Sequence, residues 1–335
     1  MSKTVIEVKQ LTKHFKIQSG WFGQTTKATV KAVSGVSFGI GKGETLGLVG
    51  ESGCGKSTLG RCIVRGIDAT SGEVLYHTEG GRIVDFLRIQ GAEYKEYRRD
   101  IQMIFQNPYS SLDPRMTVYD IISEPLAALG KLSKSEIDER VRYFAEKTGL
   151  NVSYLRRYPH AFSGGQRQRI SIARALVSQP RLIVCDEAVS ALDVSIQAQI
   201  INLLSDLQDE FQISYLFISH NLSVVEHISS RVGVMYLGKI VELANTDSLY
   251  AAPKHPYTEA LLSAVPKPEP GVKNERIILK GEVPNPANPP SGCAFHTRCP
   301  YRKEQCAVSA PELQEIAPGH YAACHFASEL QLRGV

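Results

Sequence analysis

Thr45-Leu46-Gly47-Leu48-Val49 runs directly into Gly50-Glu51-Ser52-Gly53-Cys54-Gly55-Lys56-Ser57-Thr58, and this junction decides the fold. The first five residues are apolar nearly throughout, as a parallel strand buried on both faces requires. The next nine match G-x-x-x-x-G-K-[ST] and lead into a helical segment, which is the context that gives this phosphate-loop pattern its meaning. Glycines let the backbone wrap so that successive N–H groups point at phosphate oxygens, and the partial positive charge of the helix N-terminus adds to them. In such a loop Lys56 reaches the β- and γ-phosphates and Ser57 offers its hydroxyl to Mg²⁺.

Two further apolar runs end at reactive residues. Leu182-Ile183-Val184-Cys185 stops at Asp186 and Glu187, and Tyr215-Leu216-Phe217-Ile218-Ser219 stops at His220. Ligands bind at the carboxyl ends of strands in open parallel sheets, so the three runs predict one edge carrying the chemistry. Asp186 is placed to help hold Mg²⁺ and Glu187 to polarise an attacking water as general base. The rhythm of strand-length apolar runs followed by helical patterns predicts an α/β fold.

From Asn107 to Gln179 the chain is rich in helix formers and interrupts the strands; its clearest helix runs to about Thr148 and opens with Ser133 and Glu136 at capping-box spacing. After about Ala251 the character changes. Pro253, Pro256, Pro266, Pro268, Pro270, Pro284, Pro286, Pro289 and Pro290 all fall there and argue against long helices or central strands. A boundary near Tyr250 follows, giving residues 1–250 as one domain, with a helical subdomain over about 107–179, and 251–335 as a second module. The chain of 335 residues, 43% hydrophobic and 21% charged, suffices for one sizeable core plus that module. Its net charge of +4 does not discriminate between partners. Glu7 stands where an export signal would have its apolar core, and no run approaches the ~20 apolar residues of a membrane span, so a cytoplasmic location is expected.

Cys293, Cys299, Cys306 and Cys324 crowd into the tail, separated by five, six and seventeen residues. In a reducing compartment such a cluster reads as a metal or iron–sulfur site before a pair of disulfides. The C-x₂₋₄-C pairs of common zinc modules are missing, and four thiolates also suit a [4Fe-4S] cluster.

Phe162-Ser163-Gly164-Gly165-Gln166-Arg167-Gln168-Arg169 resembles the signature sequence of ABC ATPases, which these proteins carry at the end of a helical insertion. Ser163 can cap a helix whose first N–H groups Gly164 and Gly165 leave exposed, making a second anion-binding terminus. The other motifs of the family occur in order. Gln106 resembles the Q-loop glutamine that touches Mg²⁺. Ser190-Ala191-Leu192-Asp193 resembles the D-loop that contacts the opposite subunit. His220 resembles the switch histidine at the γ-phosphate, and Phe15 the aromatic that stacks on adenine. Ala188 departs from the pattern, since many ABC ATPases have proline after the acid.

The resemblance spans essentially the whole chain. It is narrowest to the ATP-binding subunits of oligopeptide, dipeptide and nickel importers, on Asn107-Pro108-Tyr109-Ser110-Ser111-Leu112-Asp113-Pro114, Ser190 to Ser195, His255-Pro256-Tyr257-Thr258 and the cysteine tail. It implies a RecA-like P-loop ATPase core with an antiparallel β subdomain and helical insertion. It also implies Mg²⁺ and ATP held between Lys56 of one subunit and Ser163 of a second. That second subunit is a paralogue or another copy. The remaining partners are two transmembrane permease subunits, with this chain peripheral on the cytoplasmic face of the membrane, and, indirectly, an extracytoplasmic binding protein; no nucleic acid is involved. The resemblance also favours [4Fe-4S] over zinc in the tail, with unbound thiols as the remaining alternative. A nickel-chelate or oligosaccharide importer, or a soluble ABC ATPase unconnected with transport, is the competing reading.

Overall fold

Apolar runs without alternation must be covered on both faces, and in the computed structural model, which describes residues 4–19, 25–265 and 276–335, they are. Strands Thr45–Val49, Leu182–Asp186 and Ser214–Ile218 are buried at every position. The third starts and stops one residue earlier than its apolar run predicts.

The chain forms two compact units, each assembled from separate segments. The first comprises the residues up to Glu7, Gly39–Thr45 and Leu75–Ile218. Its strands Ile101–Ile104, Leu182–Asp186 and Ser214–Ile218 pair in parallel, Ile101 opposite Leu182 and Leu182 opposite Ser214. The predicted helical stretch supplies Val118–Leu129, Lys134–Lys147 and Gly164–Leu176. Ile121, Ile122, Val141, Phe144, Ile170 and Ile172 are buried, one apolar stripe from each helix. All three helices begin with a complete capping box: Thr117 with Asp120, the expected Ser133 with Glu136, and Ser163 with Gln166. The helix Val194–Phe211 starts instead on Asp193, whose carboxylate accepts the Ile196 N–H at 3.0 Å.

The second unit comprises Val8–Phe38, Leu46–Val74 and Ser219–Val335. Here Leu46 to Val49 pair in parallel with Arg231 to Val234, and Arg231–Tyr236 turns back on Lys239–Asn245 through Leu237 and Gly238, both at positive φ. That two-residue connection has the handedness a twisted hairpin demands. The tail contributes two short strands at the end of the sheet, neither of them the long helix or central strand its prolines argue against. His320–Ala322 pairs antiparallel with Lys239–Asn245, and Gln314–Ala317 pairs with His320–Ala322. They escaped the sequence reading because they are three and four residues long and follow rather than contain the prolines. In the first unit a separate antiparallel pair sets Leu75 to His77 against Ile83 to Asp85.

Candidate nucleotide site

In the second unit the phosphate loop has the conformation its glycines predict. Gly50 sits at φ 149 with space for no Cβ, since one would lie 2.2 Å from the Met235 carbonyl oxygen; at Gly55, φ 109, it would lie 2.0 Å from that of Ala32. The helix Lys56–Ile63 begins on Gly55, and no side chain at that position caps it, which leaves this terminus to the loop backbone and to Lys56. Lys56 is buried, and its Nζ donates to the carbonyls of Gly50 at 2.7 Å and Glu51 at 3.1 Å. Ser52 and Gly53 are exposed at the tip, Ser57 and Thr58 half-buried, and Cys54 buried, its carbonyl accepting the Gly238 N–H. Phe15 presents 41% of its surface with the Lys13 ammonium 4.8 Å from its ring centre, an open aromatic face suited to stacking. His220 is exposed just past its strand.

In the first unit Asp186 closes its strand at 1% exposure, and Glu187 follows in the left-handed region at φ 47. The backbone of Glu187 is fixed on both sides. Its N–H donates to the Ile218 carbonyl, and its own carbonyl accepts the Ser190 N–H and hydroxyl. Its carboxylate accepts a 2.6 Å hydrogen bond from the Gln106 amide, so these two predicted residues meet 81 positions apart. Ser163 is exposed, with its hydroxyl accepting the Gln166 N–H at 3.3 Å and its own N–H donating to Gln166 Oε1 at 3.0 Å. Gln166 thus spends its side chain on the cap. Gly165 packs so tightly that a Cβ would lie 2.6 Å from Ile196 Cγ2. Asp193 is engaged as the next helix cap.

The tail cysteines are free thiols, and all four line one cavity with Phe295 and Phe326. Burial pushes the Cys299 thiol up to about 12 and the Cys324 thiol up to about 11, with the neighbouring cysteines adding to the shift. Among the described residues, however, no group of three or more His, Cys, Asp or Glu side chains is arranged as it would be around a metal ion.

Two residues absent from the predicted set touch the phosphate loop. The Tyr257 hydroxyl accepts the Glu51 N–H at 2.8 Å, and the Arg298 guanidinium donates to both carboxylate oxygens of Glu51 at 2.7 and 3.0 Å. Tyr257 lay within the His255-Pro256-Tyr257-Thr258 motif and Arg298 directly before Cys299, but neither was read as a partner of the loop.

Comparison with known proteins finds relatives along most of the chain. Residues 33–190 match the ABC transporter family, and residues 241–306 the family described as oligopeptide/dipeptide transporter, C-terminal region. The oligopeptide transport ATP-binding protein AppF of Bacillus subtilis is 54% identical over 97% of this chain and 98% of its own length. A probable peptide ABC transporter ATP-binding protein of Sinorhizobium fredii is 52% identical over 97% and 90% respectively. Among solved structures, the ATP-binding cassette MJ0796, a dimer bound to ADP and Pi, is 27% identical with a TM-score of 0.61 over 72% of this chain and 98% of that one.

Proposed function

Because the chain belongs to the ABC transporter ATP-binding proteins of the oligopeptide and dipeptide type, we propose that it hydrolyses ATP to drive peptide uptake through partner permease subunits. The observation that carries this reading is likeness along almost the full length, tail included, to a protein named for oligopeptide transport. Each side chain has a role in it. Lys56 and the loop from Gly50 to Thr58 bind the triphosphate, and Phe15 supports the adenine. Ser57, Asp186 and Gln106 hold Mg²⁺, Glu187 takes the proton of the attacking water, and His220 meets the γ-phosphate. The helix begun by Ser163, Gly164, Gly165 and Gln166, with Asp193, faces the nucleotide of a second ATPase subunit, a paralogue or another copy. ATP then closes the pair and hydrolysis reopens it.

Among the described residues no helix is long and apolar enough to cross a membrane. We assign the membrane path to two permease subunits that dock on the helical subdomain at the cytoplasmic face, with an extracytoplasmic binding protein delivering substrate. Residues 1–250 form the ATPase and 251–335 the cysteine module.

In that module we place a metal centre on Cys293, Cys299, Cys306 and Cys324, a [4Fe-4S] cluster in preference to zinc, with a structural task. Four reduced thiols on one cavity support it. Anaerobically purified protein is expected to show broad visible absorbance with matching iron and sulfide; stoichiometric zinc would sink the cluster. The transport reading is tested by co-expression with the permeases. ATP-dependent peptide accumulation in vesicles supports it, whereas an ATPase that never co-purifies with a permease removes it.

A further inference from the structure

Glu51 is an acid inside a loop built to receive a triphosphate, where an uncompensated carboxylate opposes binding. All of its polar groups are taken. Its carbonyl accepts from Lys56, its N–H donates to Tyr257, and its carboxylate receives both arms of Arg298. Arg298 is only 7% exposed and Glu51 28%, a bidentate pair largely withdrawn from water. The guanidinium also lies 6.0 Å from the centre of the Tyr236 ring.

Tyr257 and Arg298 are themselves held by the tail. The Tyr257 ring packs 4.7 Å from Tyr236 and 5.4 Å from Phe295, which is 1% exposed. Arg298 sits in a tight turn in which the His296 N–H donates to the Cys293 carbonyl and the Arg298 N–H to that of Phe295, while the Cys293 N–H ties the turn to Cys306. One short turn therefore carries an apolar anchor, Phe295, and a charged one, Arg298.

We propose that the tail is a positioning element of the nucleotide site, with Arg298 and Tyr257 presetting the phosphate loop through Glu51 and Arg298 cancelling its charge. A loop already held in its binding shape loses less entropy when ATP arrives, and a neutralised carboxylate does not repel phosphate. This goes beyond the ATPase assignment and requires no metal on the cysteines. Neither residue touches the reacting atoms, so the effect belongs in affinity and not in the chemical step.

The test compares Arg298→Ala, Arg298→Lys, Glu51→Gln/Arg298→Ala and Tyr257→Phe in the full chain with its partner subunits, by ATP KM and kcat and by equilibrium binding of a fluorescent ATP analogue. Arg298→Ala is expected to raise KM and Kd about tenfold or more, the scale of a lost charged hydrogen-bonded pair, with kcat within about twofold. Arg298→Lys falls between it and the parent, because an ammonium cannot span both oxygens. Removing the stranded acid in the double variant recovers most of the affinity. An unchanged KM in Arg298→Ala, a fall in kcat alone, or equal losses in the single and double variants overturns the proposal. Tyr257→Phe keeps the ring and carries the test should Arg298→Ala fail to fold; unchanged affinity there counts against it equally.

Discussion

Glu187, the proposed base, is positioned by its backbone as much as by its side chain. Backbone bonds to Ile218 and Ser190 hold it at φ 47, a conformation that costs a non-glycine residue about 1 kcal/mol or more. The Gln106 amide then fixes its carboxylate at 2.6 Å. Glu187→Gln preserves shape and capacity to bind ATP but removes the base. Turnover is expected to fall by about 10²–10⁴ with nucleotide binding retained, and near-normal hydrolysis in single-turnover assays would take Glu187 out of that role. Its identity was legible in the sequence as an acid at the end of an apolar run. Its hydrogen bond to Gln106 and its left-handed backbone were not legible, since nothing local asks for either.

Helix termini carry the second level of design. The capping box at Ser163 is visible as a serine three residues before Gln166, and the structure forms it in full. Ser163→Ala should cost about 1 kcal/mol, read as a lower unfolding midpoint, because the Gln166 N–H loses its partner. Gly165→Ala should cost at least as much by driving a methyl group into Ile196; an unaffected midpoint would mean the long helix yields easily. The helix Pro256–Leu262 opens on His255, whose Nδ1 accepts the Tyr257 N–H. Burial lowers the His255 pKa to about 3, well below the ordinary value, so the unfolded chain takes up a proton the folded one refuses. Stability should therefore fall as pH drops from about 6.5 towards 3, by up to about 1.4 kcal/mol per pH unit. His255→Asn keeps an acceptor for the cap and should flatten that slope in pH-dependent denaturant titrations. An identical slope would place the titration elsewhere.

For the molecule as a whole, the proposed pairing predicts that ATP is hydrolysed only when a second ATPase subunit supplies the complementary half. Activity per chain is expected to climb with protein concentration, or to appear only when the paralogue is added; turnover independent of both would contradict the paired site. The strand-loop-helix junction, the three buried runs, the acids at their ends and the helical insertion were all determined by the sequence alone, because periodicity, glycine content and capping chemistry act over a few residues. The cysteine tail was legible as a cluster, but its route was not. Only the tertiary structure decided that His320–Ala322 extends the ladder of Lys239–Asn245 and that Arg298 grips Glu51 from 247 positions away. Such contacts are selected by packing and charge between distant segments, and neither leaves a periodic trace in the residues around them.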